Sequence, residues 1–368
     1  MITLGKGFCG FVPSGGGAPE PLRRLKIVQQ EYQHDVAVLS LPDGSPEAKR
    51  FKSGVPITVH WGNDARFSKE LNGYVNHHNP VYSNVNGPGA VSDDIVMAGS
   101  SFVFKQESLK VWRNVTVSQV VERVIKDFRF KADVTPHPGI VAMRSPVGQT
   151  TWAFLVDQAK SIGYTLVADG TTIRLHPRIV SLDRVAGSLP VFRLSDGSLS
   201  SFAAQVGVAA PSGGEKVNRQ TFGVNPRTQQ AVYQKAAPET IRALARQGAA
   251  PIFNRTQTGP VTHDLREANQ QLASSIDANR LYTSANAMVA GDCRVRPGMV
   301  VGIDAAGTEH DGLWYVSAAT HVVTGQGYSL ELGLGRDATG ASTIPTQAIL
   351  RSAKAERSAL LNGQWVAA

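Results

Sequence analysis

Cysteine is scarce in this sequence, because only Cys9 and Cys293 occur among its 368 residues. Two cysteines this far apart exclude a disulfide framework, and they leave a zinc site without its second pair of ligands. We expect both to be reduced thiols within the structure. No apolar run approaches the ~18 residues of a membrane span, and no apolar signal segment follows a basic start. The sequence therefore predicts a protein without a membrane anchor that folds in a cytoplasm.

Charged residues are also few, at 18% of the chain, whereas hydrophobic residues reach 42% and Gly and Pro number 36 and 20. This composition favours a turn-rich β protein over a helical bundle or a disordered chain. The 37 basic and 29 acidic residues give a net charge of +8, which suits contact with nucleic acid or with acidic protein surfaces. The cations are dispersed, so we interpret the small groups at 23–26, 49–52 and 126–131 as solvated faces.

Catalytic motifs are missing as well: the sequence has no phosphate loop, dinucleotide fingerprint, nucleophile elbow or zinc-protease helix. The residues that invite a metal or acid-base interpretation are His77, His78, His310, His321, Glu309, Asp311, Asp93, Asp94 and Glu267. The histidines lack further ligands at metal spacing, Glu309-His310-Asp311 falls in a predicted turn, and the carboxylates show no paired spacing. We therefore predict no catalytic, cofactor-binding or metal-binding residue, no cofactor and no enzymatic activity.

The best candidate for contact with nucleic acid is the segment in which Phe128 and Phe130 alternate with Lys126, Arg129 and Lys131. Rings of this kind stack on bases while the cations meet phosphates. Phe128 also continues the apolar stripe of a predicted helix, which favours a place in a core. We expect the core position and no specific recognition of nucleic acid.

Three β-strands are predicted near the C-terminal end, at 296–303, 310–321 and 327–334. Apolar residues in the last of these alternate with small or polar ones, and Asp311-Gly312 supplies turn chemistry. The alternating apolar positions are Tyr328, Leu330, Leu332 and Leu334. A first group of strands is predicted at 36–41, 55–61, 71–75, 94–98 and 101–104, after a flexible or extended arm that contains Ser14 to Pro21.

Between these two predicted groups of strands, the spacing of the apolar residues changes to that of a helix. A helix is predicted from Thr116 to Phe128, with a capping box at Thr116 and Gln119, and a second from about Thr151 to Ile162, ending at Gly163. A hairpin with a type I′ turn at Asp169-Gly170 follows. We expect these elements to share a core composed of Val117, Val120, Val121, Val124, Ile125, Phe128, Trp152, Leu155, Ala159, Leu166 and Ile173.

Strand pattern returns at 189–208, and a helix is predicted from His263 to Arg280. Residues from about 210 to 262 are polar and rich in Gly, Gln, Arg and Pro, and we interpret them as an insertion with a helix only at Pro238 to Arg246. Phe222, Tyr233, Ile252 and Phe253 are spaced through it as isolated anchors. We predict that this insertion and the Ala-rich segment after Gly340 contact other proteins and are poorly ordered in the isolated chain.

Together these pieces resemble phage tail hub proteins, the family that includes the late control protein D group and the hub portion of type VI secretion spikes. The resemblance covers about residues 30 to 337. It is carried by the first strands ending in Ala98-Gly99-Ser100-Ser101-Phe102, the segment from Asn114 to Val121, the segment from Thr151 to Gly163 with its hairpin, and the closing Pro-Gly strands.

The resemblance implies a mainly β fold with an α+β insert, in which two small tube-like β-barrels flank a small α/β domain. The expected domains are an N-terminal arm and first barrel at 1–106, the α/β domain at 107–181, a second barrel at 182–337 interrupted by a polar and helical insertion at about 210–284, and a C-terminal helical extension at 338–368.

The family further implies a homotrimer whose pseudo-sixfold ring joins the hexameric tail tube to the tail tip or spike. Expected partners are the tail tube or distal tail protein, the tip or spike protein and the tape measure protein. DNA is expected to pass the channel without specific recognition, in a virion assembled in the host bacterial cytoplasm. Two alternatives stay open: a barrel protein that binds single-stranded nucleic acid or oligosaccharide, and a tail-associated cell-wall hydrolase.

Overall fold

The fold is described from a computed structural model of the chain. It describes residues 8–13, 20–41, 51–64, 67–83, 90–108, 110–137, 140–144, 146, 148–178, 189–206, 215–225, 228–235, 253–258, 265, 268–269, 272, 281, 283–336 and 344. The segment after Gly340 and the helix expected at Pro238 to Arg246 therefore lie outside the described residues, apart from residue 344.

Seven strands form a first group at the N-terminal side. They are β1 (Phe8–Pro13), β2 (Glu20–Pro21), β3 (Arg24–Gln30), β4 (Val36–Leu41), β5 (Pro56–Asp64), β6 (Phe67–Ser83) and β7 (Ala90–Gly99), in the spatial order β3-β4-β7-β6-β5-β1-β2. Burial alternates along β3, β4 and the first six residues of β5, so that Ile57, Val59 and Trp61 lie in the core as the sequence predicted. Before the residues expected to form a flexible or extended arm, Phe8–Pro13 pairs antiparallel with β5.

The strand predicted at 101–104 is wrong, because Ser100–Lys105 forms a 3₁₀ helix. The Gly99 amide donates to the Asp35 carbonyl at 2.8 Å at the end of β7. Phe104 then becomes fully buried, with ring centroids 4.5 Å from Phe128 and 5.0 Å from Phe130. Burial of this large ring beneath the next part of the chain favours the turn over continued pairing.

An α/β region follows. It contains β8 (Trp112–Thr116), α1 (Val117–Asp127), β9 (Lys131–Val134), β10 (Ile140–Arg144), α2 (Thr151–Ser161), β11 (Tyr164–Asp169) and β12 (Thr172–Pro177). The predicted capping box is confirmed: Thr116 accepts from the Gln119 amide, and the Gln119 side chain accepts from the Thr116 amide. Both helices begin where their capping residues satisfy otherwise unpaired amides.

The predicted core of this region is confirmed with one change. Trp152, Leu155, Leu166 and Ile173 share a buried cluster with the apolar stripe of α1. Phe128 packs against this cluster but is half-buried, because it is the residue that caps the C-terminal end of α1.

The predicted hairpin between β11 and β12 is also confirmed, but its turn type is wrong. Asp169 pairs with Thr172, so the two turn residues are Gly170 and Thr171. Only Gly170 has a positive φ, at 60°. A type I′ turn needs positive φ at both central residues, whereas glycine at the first position alone is the pattern of a type II′ turn.

A second strand group contains the three C-terminal strands that the sequence predicted. They are β19 (Val300–Asp304), β20 (Gly312–Thr324) and β21 (Gly327–Arg336), accompanied by β13 (Val191–Arg193), β14 (Leu199–Val206) and β18 (Thr283–Ala290). The predicted alternation in β21 is confirmed, because Tyr328, Leu330, Leu332 and Leu334 are all buried.

The two strand groups are joined into one 13-stranded sheet, in which β20 pairs antiparallel with β3. The order β14-β18-β21-β20-β3-β4-β7 therefore crosses from the second group to the first without a break. This 13-stranded sheet is open, and no closed barrel is found among the described strands. The fold is thus mainly β, and no described helix is long and apolar enough to cross a membrane.

The insertion contains a separate three-stranded sheet that the sequence did not predict. Its strands are β15 (Glu215–Val224), β16 (Ala231–Lys235) and β17 (Phe253–Thr258), with β15 in the middle. Phe222 and Tyr233, expected to be isolated anchors, are direct cross-strand partners. Of the helix predicted from His263 to Arg280, the described residues 265, 268, 269 and 272 are helical.

Candidate functional site

The histidines singled out by the sequence do not come together. His321 is buried on β20, where its Nδ1 lies 2.6 Å from the Tyr328 hydroxyl, and burial lowers its pKa to about 3. A neutral imidazole between strands is a core residue. Among the described residues no group of three or more His, Cys, Asp or Glu could hold a metal ion. Cys9 and Cys293 are both free thiols.

Asp311 has the conformational role that its turn position predicted. Its carboxylate accepts from the amides of Ala305 and Gly307 at 2.7 and 2.8 Å. The preceding carbonyl, that of His310, accepts from the Trp314 indole at 2.9 Å and from Arg336 at 3.0 Å. These bonds close the loop between β19 and β20. Asp93 and Asp94 lie on β7, and Glu267 is outside the described residues.

The aromatic segment at 126–131 offers no open stacking platform. The rings of Phe128 and Phe130 both contact buried Phe104. Lys126 pairs with Glu122 one helical turn earlier, at 2.5 Å. Two rings packed against a third cannot both stack on bases, so the position in the core is the better interpretation.

The structure does bring together a charged cluster that the sequence did not indicate. Glu31, in the turn between β3 and β4, accepts hydrogen bonds from Arg178, at 3.0 Å, and from the Tyr315 hydroxyl. Arg178 follows β12 of the α/β region, and Tyr315 belongs to β20 of the second strand group. Burial raises the pKa of Glu31, against the lowering effect of Arg178 and the Tyr315 hydrogen bond. One buried carboxylate thus connects the two strand groups and the α/β region.

The whole turn between β3 and β4, residues 31–35, is also fixed by further hydrogen bonds to the α/β region. The Tyr32 amide donates to the Leu166 carbonyl at 2.8 Å, and the Trp152 indole donates to the Tyr32 carbonyl at 3.0 Å. Asp35 is almost completely buried and accepts from the Gly170 amide at 3.4 Å. Burial raises the pKa of Asp35 to about 7.

A second charged cluster surrounds Asp169 at the end of β11. Its carboxylate lies 3.7 Å from Lys69 of β6, 3.0 Å from Arg174 of β12 and 3.5 Å from Arg296, which precedes β19. Burial opposes ionisation, but Lys69, Arg296 and Arg174 together lower the pKa of Asp169. Because the three cations come from the first strand group, the α/β region and the second strand group, this cluster also connects all three.

The large sheet has one face in the cores and one face directed outward. The residue pairs Thr320 with Val28 and Val322 with Lys26 continue the outward face from β20 to β3, and the pair Arg24 with Ser40 continues it to β4. Its charged residues on β21, β3, β4, β7 and β6 are Arg24, Lys26, Asp94, Glu331 and Glu70. Two basic residues stand against three acidic ones, so these strands give the outer face no excess of basic charge.

No protein-family model matches the sequence. No curated protein matches it either. Similarity is found among solved structures. The 43 kDa tail protein of prophage MuSo2 from Shewanella oneidensis has a TM-score of 0.65 at 14% identity, covering 90% of this chain and 100% of that chain. A tail protein from Neisseria meningitidis MC58 has a TM-score of 0.64 at 12% identity, covering 90% of this chain and 97% of the other.

The chain has the fold of these phage tail proteins. An Escherichia coli component of the type VI secretion system, described as structurally similar to T4 bacteriophage tail proteins gp27 and gp5, has a TM-score of 0.54 at 9% identity. The alignment covers 91% of this chain and 79% of that component. The resemblance drawn from the sequence is therefore supported at the level of fold, over nearly the whole chain.

Proposed function

We propose that this chain is a structural phage tail hub protein that forms a trimeric ring between the hexameric tail tube and the tail tip or spike. The observation that carries the proposal is the uninterrupted sheet formed by the two strand groups, in a fold shared with phage tail proteins. In this proposal each strand group of the open sheet supplies one unit of the ring, where the sequence predicted a barrel. Three copies then present six similar units to a hexameric tube, which is the pseudo-sixfold match that the function requires.

In this arrangement the outer face of the joined sheet lines the channel. An open sheet has unpaired edges, and edges of this kind favour pairing with another copy. β14 lies at one end of the strand order. The proposal gives that edge a neighbour within the ring. DNA passes a surface without an excess of basic residues, so it crosses the channel without being bound specifically.

The α/β region holds the two units in a fixed relation. Glu31 and Asp169 each contact groups from the α/β region and from both strand groups. Such a connection suits a ring that must keep its geometry while the tube and the spike bind on opposite sides. The remaining partners are the distal tail protein and the tape measure protein, in the virion tail, after assembly in the host cytoplasm. The function needs no catalytic residue and no cofactor.

The test is the mass of the purified chain and its stoichiometry in tail particles. We expect a threefold assembly, either in solution or as a ring in cryo-electron microscopy of tails. Monomer only, together with particles that contain no ring of this chain, would contradict the proposal. Clearing of a cell-wall substrate by the purified protein would instead support the hydrolase alternative.

A further inference from the structure

The carboxylate of Asp169 binds its three neighbouring cations unequally. Its Oδ2 accepts from Nε and Nη2 of Arg174 at 3.1 and 3.0 Å. Nε of Arg296 lies 3.5 Å from the same oxygen, and Nζ of Lys69 lies 3.7 Å from Oδ1. Hydrogen bonds between a cationic N–H and a carboxylate are about 2.7 to 2.9 Å long. Arg174 therefore holds the carboxylate, and Lys69 and Arg296 lie beside it without a short hydrogen bond to it.

Lys69 and Arg296 thus keep donors that Asp169 does not use. An ammonium group has three N–H donors and a guanidinium five. Among the described residues, Asp169 is the only ion-pair partner of either side chain. The two side chains are 29% and 27% exposed, so a small ligand from solvent can reach both.

The other acidic groups of this cluster do not balance its positive charge. Asp133 accepts from Nη1 of Arg174 and lies 3.3 Å from Nε2 of His176. Asp35 interacts with Asp169, but burial raises the pKa of Asp35 to about 7, so it is mostly uncharged below that pH. Three cations therefore stand against two carboxylates in the described cluster.

The incomplete compensation is visible at the two outer cations. Burial and the neighbouring cations lower the pKa of Lys69 and of Arg296, against the raising effect of Asp169. An anion that carries more than one charge would stabilise cations in this position. We propose that Lys69 and Arg296 bind a doubly charged tetrahedral oxyanion, with the chemistry of phosphate or sulfate, beside the pair of Arg174 and Asp169.

Such an anion connects two parts of the fold. Lys69 belongs to β6 of the first strand group, and Arg296 precedes β19 of the second. The bound oxyanion accepts from both, and it adds a link to the one that Asp169 already provides. The inference is independent of the hub function, because anion binding and assembly are measured separately.

Two other classes of anion fit the cluster less well. A monocarboxylate carries a single charge, as Asp169 already does, and it compensates the cations less than a doubly charged ion. DNA is bound by cations that follow successive phosphates, whereas Lys69 and Arg296 both approach one carboxylate and are no more than 29% exposed.

The experiment is titration of the full chain with inorganic phosphate and with sulfate at about pH 7, with acetate and a thymidine hexanucleotide as comparisons. Sodium chloride keeps the ionic strength constant at about 0.15 M. Binding is measured by isothermal calorimetry, and the phosphorus NMR signal of phosphate reports it independently of heat. We expect phosphate and sulfate to bind with a Kd of about 1 mM or tighter and acetate at least about tenfold more weakly.

Three variants locate the site. Lys69→Gln and Arg296→Gln should each weaken binding of phosphate about tenfold. Arg294→Gln is the matched control, because it removes the same charge two residues from Arg296, at a side chain that is 55% exposed and pairs with Asp292. It should change the Kd less than about twofold.

Each of the other outcomes overturns the proposal. No binding of phosphate or sulfate at about 20 mM would exclude an oxyanion site of useful affinity. Equal binding of acetate would show attraction by charge alone, and tighter binding of the hexanucleotide would assign the cluster to nucleic acid. An equal loss in Arg294→Gln would show that net charge governs binding. Because Arg174 still pairs with Asp169 in the site variants, they should fold, which urea unfolding checks; folded variants with full affinity would place the anion elsewhere.

Discussion

Asp35 is a buried carboxyl group whose pKa is raised, and the effect on stability can be measured. Burial raises its pKa from 3.8 to about 7, so the folded protein keeps a proton that the unfolded chain has lost. A carboxyl with a raised pKa stabilises the fold least when it is ionised. Its contribution therefore falls as the pH rises from about 4 to above 7.

We expect Asp35→Asn to remove this penalty. The amide keeps an acceptor for the Gly170 amide and carries no charge, so the variant should gain roughly 2 to 4 kcal/mol over wild type at pH 8 and little at pH 4. The measurement is the free energy of unfolding in denaturant across this pH range. The control is Asp157→Asn on the exposed side of α2. A wild type with the same pH dependence as Asp35→Asn would disprove the assignment.

Glu31 and Arg178 form a buried ion pair, and removing one partner alone should destabilise the fold. Arg178→Met leaves the buried Glu31 carboxylate without this cation, at a cost of about 3 to 5 kcal/mol. The double variant Glu31→Met with Arg178→Met removes both charges, so it should be more stable than Arg178→Met alone. A double-mutant cycle measured by denaturant unfolding gives the coupling energy. A coupling near zero would show that the two groups act independently.

At the scale of secondary structure, Phe104 and Phe128 belong to one aromatic cluster but should contribute different amounts to the free energy of unfolding. Phe104 has no exposed surface, and Phe128 is half-buried at the end of α1. Phe104→Ala should therefore cost about 3 to 5 kcal/mol, and Phe128→Ala roughly half as much. Exposed Phe222→Ala is the control and should change stability by less than about 0.5 kcal/mol. The reverse order for Phe104 and Phe128 would contradict this packing.

The elements that the sequence predicted are those in which burial follows a regular period. The stripe of α1 and the alternation of β21 are visible because one face is apolar and the other polar. The strand β3 was missed because a buried Gln29, which hydrogen-bonds to Asp35, interrupts its apolar side. The hairpin of β15 and β16 was missed because its aromatic residues face outward.

The residues that join the two strand groups and the α/β region could not be predicted from the sequence, for a different reason. Glu31 meets Arg178 and Tyr315 across 147 and 284 positions of sequence. Such contacts depend on how the two strand groups and the α/β region pack together. The local spacing of apolar and polar residues does not predict that packing. A lone glutamate beside Tyr32 in a turn indicates an exposed charge, and only the fold shows that it is buried.

At the scale of the whole molecule, the charge on the outer face of the joined sheet should determine how tightly the protein binds DNA. The protein has a net charge of +8, but the charged residues of this face on β21, β3, β4, β7 and β6 are two basic residues, Arg24 and Lys26, and three acidic ones, Asp94, Glu331 and Glu70. Affinity for DNA depends on the number of phosphates that cations neutralise, and a face without an excess of basic residues neutralises few. We therefore expect no tight binding of DNA, although the protein as a whole is basic.

The measurement is the fluorescence anisotropy of labelled double-stranded and single-stranded DNA at about 150 mM salt, where we expect Kd values weaker than about 10 µM for both. Glu331→Lys changes the charge of the face by two units at an exposed position of β21, so it should tighten binding of DNA and steepen its salt dependence. Asp157→Lys makes the same change of charge at an exposed position of α2 and should have a smaller effect. Saturable sub-micromolar binding by the wild type would contradict a passive channel and favour the alternative of a nucleic-acid-binding protein. Equal effects of the two lysine variants would show that net charge, and not the outer face, governs contact with DNA.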